Sequence, residues 1–286
     1  MKIKMMYLAV ILSPLLFAQP AEAQFLKGLG KKLEKKTEEV AEKAIGRIGN
    51  SDEVTSEERR GESRGADGQR GTAGTGPFEG IPLLKNDFVR GSEIIFFDDF
   101  STETIGEMAT RWTSNGIGTV SEVSGVGGKW LKLYHENTYK IKDLVRIPEN
   151  FTLEFDLLTL ADSKDDLVVD FGFDDEKGIS KHFYLADRNP INIEASYRFD
   201  SFEFTSNELN PTKRSKLKAN MSYFVNDIMK VKISVVGDRM KAYINEYKVL
   251  DTEMVNPITK KYFYLAVENE KNAAEVYVSN VRINQL

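Results

Sequence analysis

No cysteine occurs in the 286 residues. The chain therefore forms no disulfide, binds no metal through thiolate, has no cysteine nucleophile and offers no N-terminal cysteine for lipid attachment. Histidine is nearly as scarce: His135 and His182 are the only two, too few for a histidine-rich metal centre. Positive charge is not in excess either. Lys plus Arg number 39 against 44 Asp plus Glu, a formal net charge of -5, so there is no general electrostatic case for a nucleic-acid partner. Long apolar runs are missing as well. Met5–Phe17 spans about 13 residues, short of the roughly 20 that a membrane-spanning helix requires.

What is present begins with a targeting pattern. Lys2 and Lys4 precede the apolar run, and Ala21-Glu22-Ala23 is a small-x-small cleavage site. This predicts a signal peptide over 1–23 with cleavage between Ala23 and Gln24. The expected product is exported, is not a lipoprotein, and resides in the periplasm or at the cell surface in association with the outer membrane. Export without cysteine suits a bacterial envelope better than a disulfide-rich secretion.

Residues 24–50 repeat Phe25, Leu26, Leu29, Leu33, Val40, Ala41, Ala44, Ile45 and Ile48 at three- and four-residue steps, with Lys and Glu between. The spacing predicts a basic amphipathic helix that lies on an anionic membrane surface or pairs with a partner helix. Residues 51–76 are rich in Gly, Ser, Glu and Arg, contain no aromatic residue, and read as a disordered linker. The G-x-S-x-G match at Gly61–Gly65 falls inside this linker. It lacks the flanking strand and helix that a nucleophile elbow needs, so it is a chance match.

Residues 77–286 read as one globular unit. The segments before it carry +1, +3 and -2, leaving -7 on this unit. Val231, Ile233 and Val235 alternate with Lys232 and Ser234. Gly237-Asp238 breaks the run, and Met240, Ala242 and Ile244 then alternate with Lys241 and Tyr243. Asn245-Glu246 breaks it again before Tyr247–Leu250. This is a β-meander with one face buried and one wet. Further strands are expected over 93–100, 118–123, 129–134, 151–160, 167–173, 181–186, 191–199, 217–224, 262–269 and 275–284. The predicted fold class is all-β: a two-sheet antiparallel β-sandwich of the jelly-roll kind.

Phe96-Phe97-Asp98-Asp99-Phe100, Trp112-Thr113-Ser114-Asn115-Gly116, Gly127-Gly128-Lys129-Trp130-Leu131-Lys132-Leu133, Phe151–Asp156, the meander and Val278–Ile283 form a series. That series resembles the concanavalin A-like (lectin/glucanase) jelly-roll domains. In particular it resembles those in front of OmpA-like domains in outer-membrane proteins of Bacteroidetes-type bacteria. The resemblance implies that the closing strand near the C-terminus pairs with the opening strand around Ile94–Phe97. Those relatives continue into a peptidoglycan-binding domain. The sequence here stops at Leu286 without an OmpA-like C-terminal domain, so cell-wall anchoring is not carried over.

Glu154-Phe155-Asp156 carries the catalytic candidates. Glycoside hydrolases of the resembling fold use E-x-D-x-x-E on one strand, and alternation puts Glu154 and Asp156 on one face. The third acidic position is Thr159, so the general acid is missing. The plain alternative is that Leu153, Phe155 and Leu157 face the core and the carboxylates face water. Asp98 and Asp99 are the candidate contributors to a structural calcium ion, which the resemblance implies. Asp162/Asp165/Asp166 and Asp174-Asp175-Glu176 are further acidic loops. Trp112, Trp130 and Tyr134 are the candidate ligand-binding residues of a sugar-stacking platform, with Tyr139, Tyr197, Phe199 and Phe202 beside them. Packing is the competing role for each. The resulting expectation is a non-catalytic envelope module for binding or adhesion that recognises a glycan or an envelope protein. The alternatives are a glycoside hydrolase-like enzyme on the same fold and a structural, oligomerising envelope protein.

Overall fold

The computed structural model describes residues 76–78, 84, 86–142, 147–162, 164, 167–179, 186–269 and 274–286. The chain divides into two units, Met1–Asp67 and Gly68–Leu286, and the described residues all fall in the second. The expected signal peptide, its Ala23–Gln24 cleavage site, the 24–50 helix and residues 51–75 of the linker lie outside the described residues.

Fifteen strands occur among the described residues: β1 (Glu93–Asp98), β2 (Trp112–Ser114), β3 (Gly118–Val123), β4 (Val126–Leu133), β5 (Asn137–Ile141), β6 (Phe151–Leu160), β7 (Val168–Asp174), β8 (Ile191–Ser196), β9 (Ser201–Ser206), β10 (Lys213–Lys218), β11 (Asp227–Val236), β12 (Arg239–Ile244), β13 (Tyr247–Glu253), β14 (Tyr262–Asn269) and β15 (Glu275–Gln285). They form two antiparallel sheets. The first runs β13-β12-β11-β6-β15-β4-β3, with β1 also paired to β15, and the second runs β10-β9-β8-β7-β14-β5-β2.

Alternation builds the core between them. Leu153, Phe155 and Leu157 of β6 and Val231, Ile233 and Val235 of β11 point inward from the first sheet, each nearly fully buried. Val169, Phe171 and Phe173 of β7, with Phe263 and Leu265 of β14, meet them from the second. Phe155 bridges the layers, its ring 5.2 Å from Phe171 and 5.5 Å from Phe263. Removing such a side chain from water contributes roughly 1.5–3 kcal/mol. The meander folds as its sequence reads: Val231 lies opposite Ile244, and Asn245 takes a left-handed turn conformation at φ 53°.

β1 and β15 pair as expected, with Ile94 opposite Asn284 and Phe97 opposite Arg282. Two strand expectations are corrected. Residues 217–224 are not one strand. β10 ends at Lys218, and Met221–Phe224 form a 3-10 turn whose Asn220 side chain caps the Ser222 amide. Of the expected 181–186 strand only Ala186 is described, and it begins a 3-10 turn.

Candidate functional site

β6 lies between β11 and β15, and its outward residues set the floor of a groove. Lys232 of β11 stands directly opposite Glu154, and Lys230 opposite Asp156. On the other side, Arg282 is opposite Glu154 and Ser279 opposite Asp156. Asn280 and Val281 of β15 there stand against the single residue Phe155, one residue in excess, and Asn280 adopts φ 55°. This bulge turns the Asn280 amide toward β6, where Nδ2 donates to Asp156 Oδ2 at 2.8 Å. At the same place β15 changes neighbour, from β4 at Val276–Val278 to β1 from Val281 onward. Phe97 of β1 then sits under Arg282, whose guanidinium carbon is 4.2 Å from the ring centroid. The groove so formed holds about 370 Å³ and is lined by these side chains and Arg90.

Arg90 arrives on a strap, residues 86–91, laid across the outer face of the first sheet. Asp87 accepts hydrogen bonds from Lys241 Nζ at 2.8 Å and Tyr243 Oη at 2.7 Å, and pairs with Lys248. These donors, Lys241 first, hold its carboxyl well below the usual carboxylate range. The Phe88 ring meets Tyr243 edge-on at 5.4 Å, and the Lys232 ammonium lies over it. Arg90 then forks onto Glu154, with Nε 2.5 Å and Nη2 2.8 Å from the two carboxylate oxygens. Glu154 in turn raises the Arg90 pKa. Gly91 closes the strap. Its amide donates to Thr152 Oγ1, its carbonyl accepts from Asn284 Nδ2, and a Cβ there would stand 2.3 Å from the Gln285 carbonyl oxygen.

Glu154 and Asp156 therefore share the outer face while Leu153, Phe155 and Leu157 face the core. Thr159 is fully buried, and its hydroxyl donates to the Phe224 carbonyl. β6 pairs with β11 without a break in register, so position 159 points inward whatever residue occupies it.

The aromatic candidates separate. Trp112 is a correction: only 2% exposed, it sits in the core among Phe96, Phe100 and Phe263, where no sugar ring reaches. Trp130 is on the outer face but equally buried, in a small apolar cluster with Val123, Leu158 and Tyr277, its indole N–H donating to Gly127. Tyr134 is half-buried, hydroxyl to hydroxyl with Thr119, and the Lys132 ammonium lies 5.5 Å from its ring. Tyr139, Tyr197 and Phe202 are core residues. Phe199 is exposed at the β8–β9 turn, 5.4 Å from the Arg198 guanidinium.

The expected calcium contributors are not brought together with further metal-ligating side chains among the described residues. Asp98 is 7% exposed and spends one oxygen on the Phe100 amide and the other on the Trp112 indole N–H. Burial raises its pKa. Asp99 accepts from the Ser101 amide, turning the chain after β1. Asp174 pairs with the buried Lys140, which also donates to the carbonyls of Glu176 and Gly178. Asp165 and Asp166 are outside the described residues. Among the described residues no group of three metal-ligating side chains comes together.

Sequence reasoning singled out Glu154 and Asp156 but missed Arg90, Lys230, Lys232, Asn280 and Arg282. The β11 alternation already placed both lysines on the wet face. The break of alternation at Ser279-Asn280 marked the bulge. Arg90 had no periodic signal.

No family model matches the chain, and no curated protein does. Solved structures similar to it include a carbohydrate-binding module, CBM66, from Bacillus subtilis. It is 17% identical over 64% of this chain and 100% of that one, with a TM-score of 0.42. Another is the Emp47p carbohydrate recognition domain, 11% identical over 66% of this chain and 94% of that one, TM-score 0.48. A third is the VIP36 exoplasmic/lumenal domain with Ca2+ and mannose bound, 10% identical over 62% of this chain and 83% of that one, TM-score 0.48.

Proposed function

We propose that this chain is an exported, non-catalytic glycan-binding module of the bacterial envelope, and that it binds through the groove over Glu154 and Asp156. The observation that carries this reading is an open channel on a rigid sheet, floored by hydrogen-bonding side chains, with Asn280 placed by a strand bulge and Phe97 at its wall. Polar groups fixed on strands, with a guanidinium held flat on the Phe97 ring beside them, match the hydroxyl-rich edge of a sugar. Binding is favoured over hydrolysis because both Glu154 oxygens are occupied by Arg90, and position 159 faces the core. A hydrolase would need two carboxyls free to flank the scissile bond. The leader at 1–23 and the 24–50 helix would deliver the module to the envelope and hold it at a membrane surface or a partner helix.

Affinity electrophoresis of the mature protein through gels containing a panel of soluble neutral and acidic polysaccharides tests the reading. Retardation by at least one glycan, lost on Asn280→Ala with the thermal melt unchanged, is the expected result. Unretarded migration throughout the panel overturns it. N-terminal sequencing of protein recovered from the envelope should begin at Gln24; retention of Met1 removes the export proposal.

A further inference from the structure

The groove is electrically at odds with the unit that carries it. Residues 77–286 hold a net charge of -7, yet four cations and two carboxylates line the channel. Arg90 and Glu154 cancel one another in their fork. That leaves Lys230, Lys232 and Arg282 against Asp156 alone. Among the described residues no carboxylate lies within ion-pair distance of those three cations, whereas Lys241, Lys248 and Lys132 on the same sheet face all have one. Elsewhere this face neutralises its charges, and here it leaves a surplus.

The register fixes the shape of that surplus. Lys232, Glu154 and Arg282 lie side by side on three adjacent strands, so the backbone positions that carry the two cations stand about 10 Å apart across β6. Lys230 follows Lys232 two residues along, about 7 Å down the same rim. Between the rims Asp156 gives one oxygen to Asn280, and no described residue donates to the other. A ligand that fits this arrangement carries single negative charges at its edges and a hydroxyl toward the floor. Asp156 accepts the hydroxyl, while Arg282, held flat on Phe97, offers a carboxylate two parallel N–H donors.

We infer that the groove selects an acidic glycan, a chain of carboxylate-bearing sugars, with Lys230, Lys232 and Arg282 pairing the carboxylates. This rests on the glycan-binding reading and names its ligand class. An anionic group of higher charge, such as phosphate, would meet Asp156 at the floor and gain less. The mild surplus matches a monoanion.

The test uses the mature protein with polygalacturonate in two forms, de-esterified and highly methyl-esterified, which share a backbone and differ in charge. Poly-L-glutamate is the non-sugar control. Titration calorimetry should show binding to the de-esterified chain, weakened about tenfold or more by esterification and by Lys230→Gln or Arg282→Gln. The same loss should follow a rise in salt from about 50 to about 300 mM. Near-ultraviolet circular dichroism confirms that each variant is folded. Equal affinity for poly-L-glutamate overturns the inference in favour of an acidic protein partner. Binding to neutral polysaccharides only, unaffected by Lys230→Gln or by salt, overturns the inference and leaves the glycan-binding reading standing. No binding to any polysaccharide removes both.

Discussion

Trp112, by sequence a candidate for stacking on sugar, and Asp98, a candidate for holding calcium, are each other's partner. The indole N–H donates to Asp98 Oδ2 at 3.0 Å inside the core. Residue type and alternation do not reveal such a pairing, because the two lie 14 positions apart on strands of different sheets. Trp112→Phe keeps most of the volume but takes a donor from a buried carboxyl. Thermal or urea unfolding should register a loss of about 1.5–3 kcal/mol. Glu194 gives a residue-scale prediction of opposite sign. Burial, then the charges of Glu268 and Glu203, raise its pKa in the folded protein. The unfolded chain thus releases this proton at lower pH than the folded one. Stability from this site is full below the ordinary glutamate value of 4.5 and is lost as pH rises through the raised value. Glu203 stands directly opposite Glu194 on β9, so Glu194→Gln should stabilise by about 0.5 kcal/mol at pH 7. The gain in melting temperature should vanish below pH 4.5; a gain that persists in acid would refute the electrostatic cause.

Among the elements, the strands with clean alternation were legible and the polar strap was not. β6, β11 and β12 carry apolar residues at every second position, and the structure places those residues inward. Residues 86–91 have no such period. Their position is fixed by ion pairs and by one close approach, which sequence pattern does not encode. That approach is testable: Gly91→Ala places a methyl group against the Gln285 backbone, so the strap must shift. A loss of about 1–3 kcal/mol is expected, with faster amide exchange over 86–91 and weaker binding in the groove. Unchanged exchange would show that the strap is held elsewhere. β10 explains another misreading. The residue pattern over 217–224 predicts a strand that starts at Leu217, whereas Leu217 is near the end of one whose remaining residues are mostly basic. Among the described residues β10 pairs only with β9, and Arg214, Lys216 and Lys218 are exposed along this edge. Charge on an edge strand discourages pairing with other chains. Arg214→Val, Lys216→Val and Lys218→Val together should produce oligomers in light scattering, while the wild type should not.

At the largest scale, residues 77–286 are legible as two stacked sheets because both inner faces read as alternating runs, and the floor of the groove is legible because it falls on the wet side of one of them. The lysine rim on β11 and the break at Ser279-Asn280 also leave a trace in the pattern, whereas the strap that brings Arg90, more than 60 residues before Glu154, does not. One further property follows from the neighbour change of β15. That strand, the last in sequence order, is the seam joining β6 to both β4 and β1. Until it is synthesised, the first sheet exists only as separate ribbons with open flanks. Without it the β6–β11–β12–β13 ribbon and the β3–β4 ribbon have no common neighbour, so closure of this sheet waits on its C-terminal strand. A chain ending at Ala274 should accordingly show no cooperative melt, and a sharp transition in that truncation would mean the earlier strands assemble without their seam.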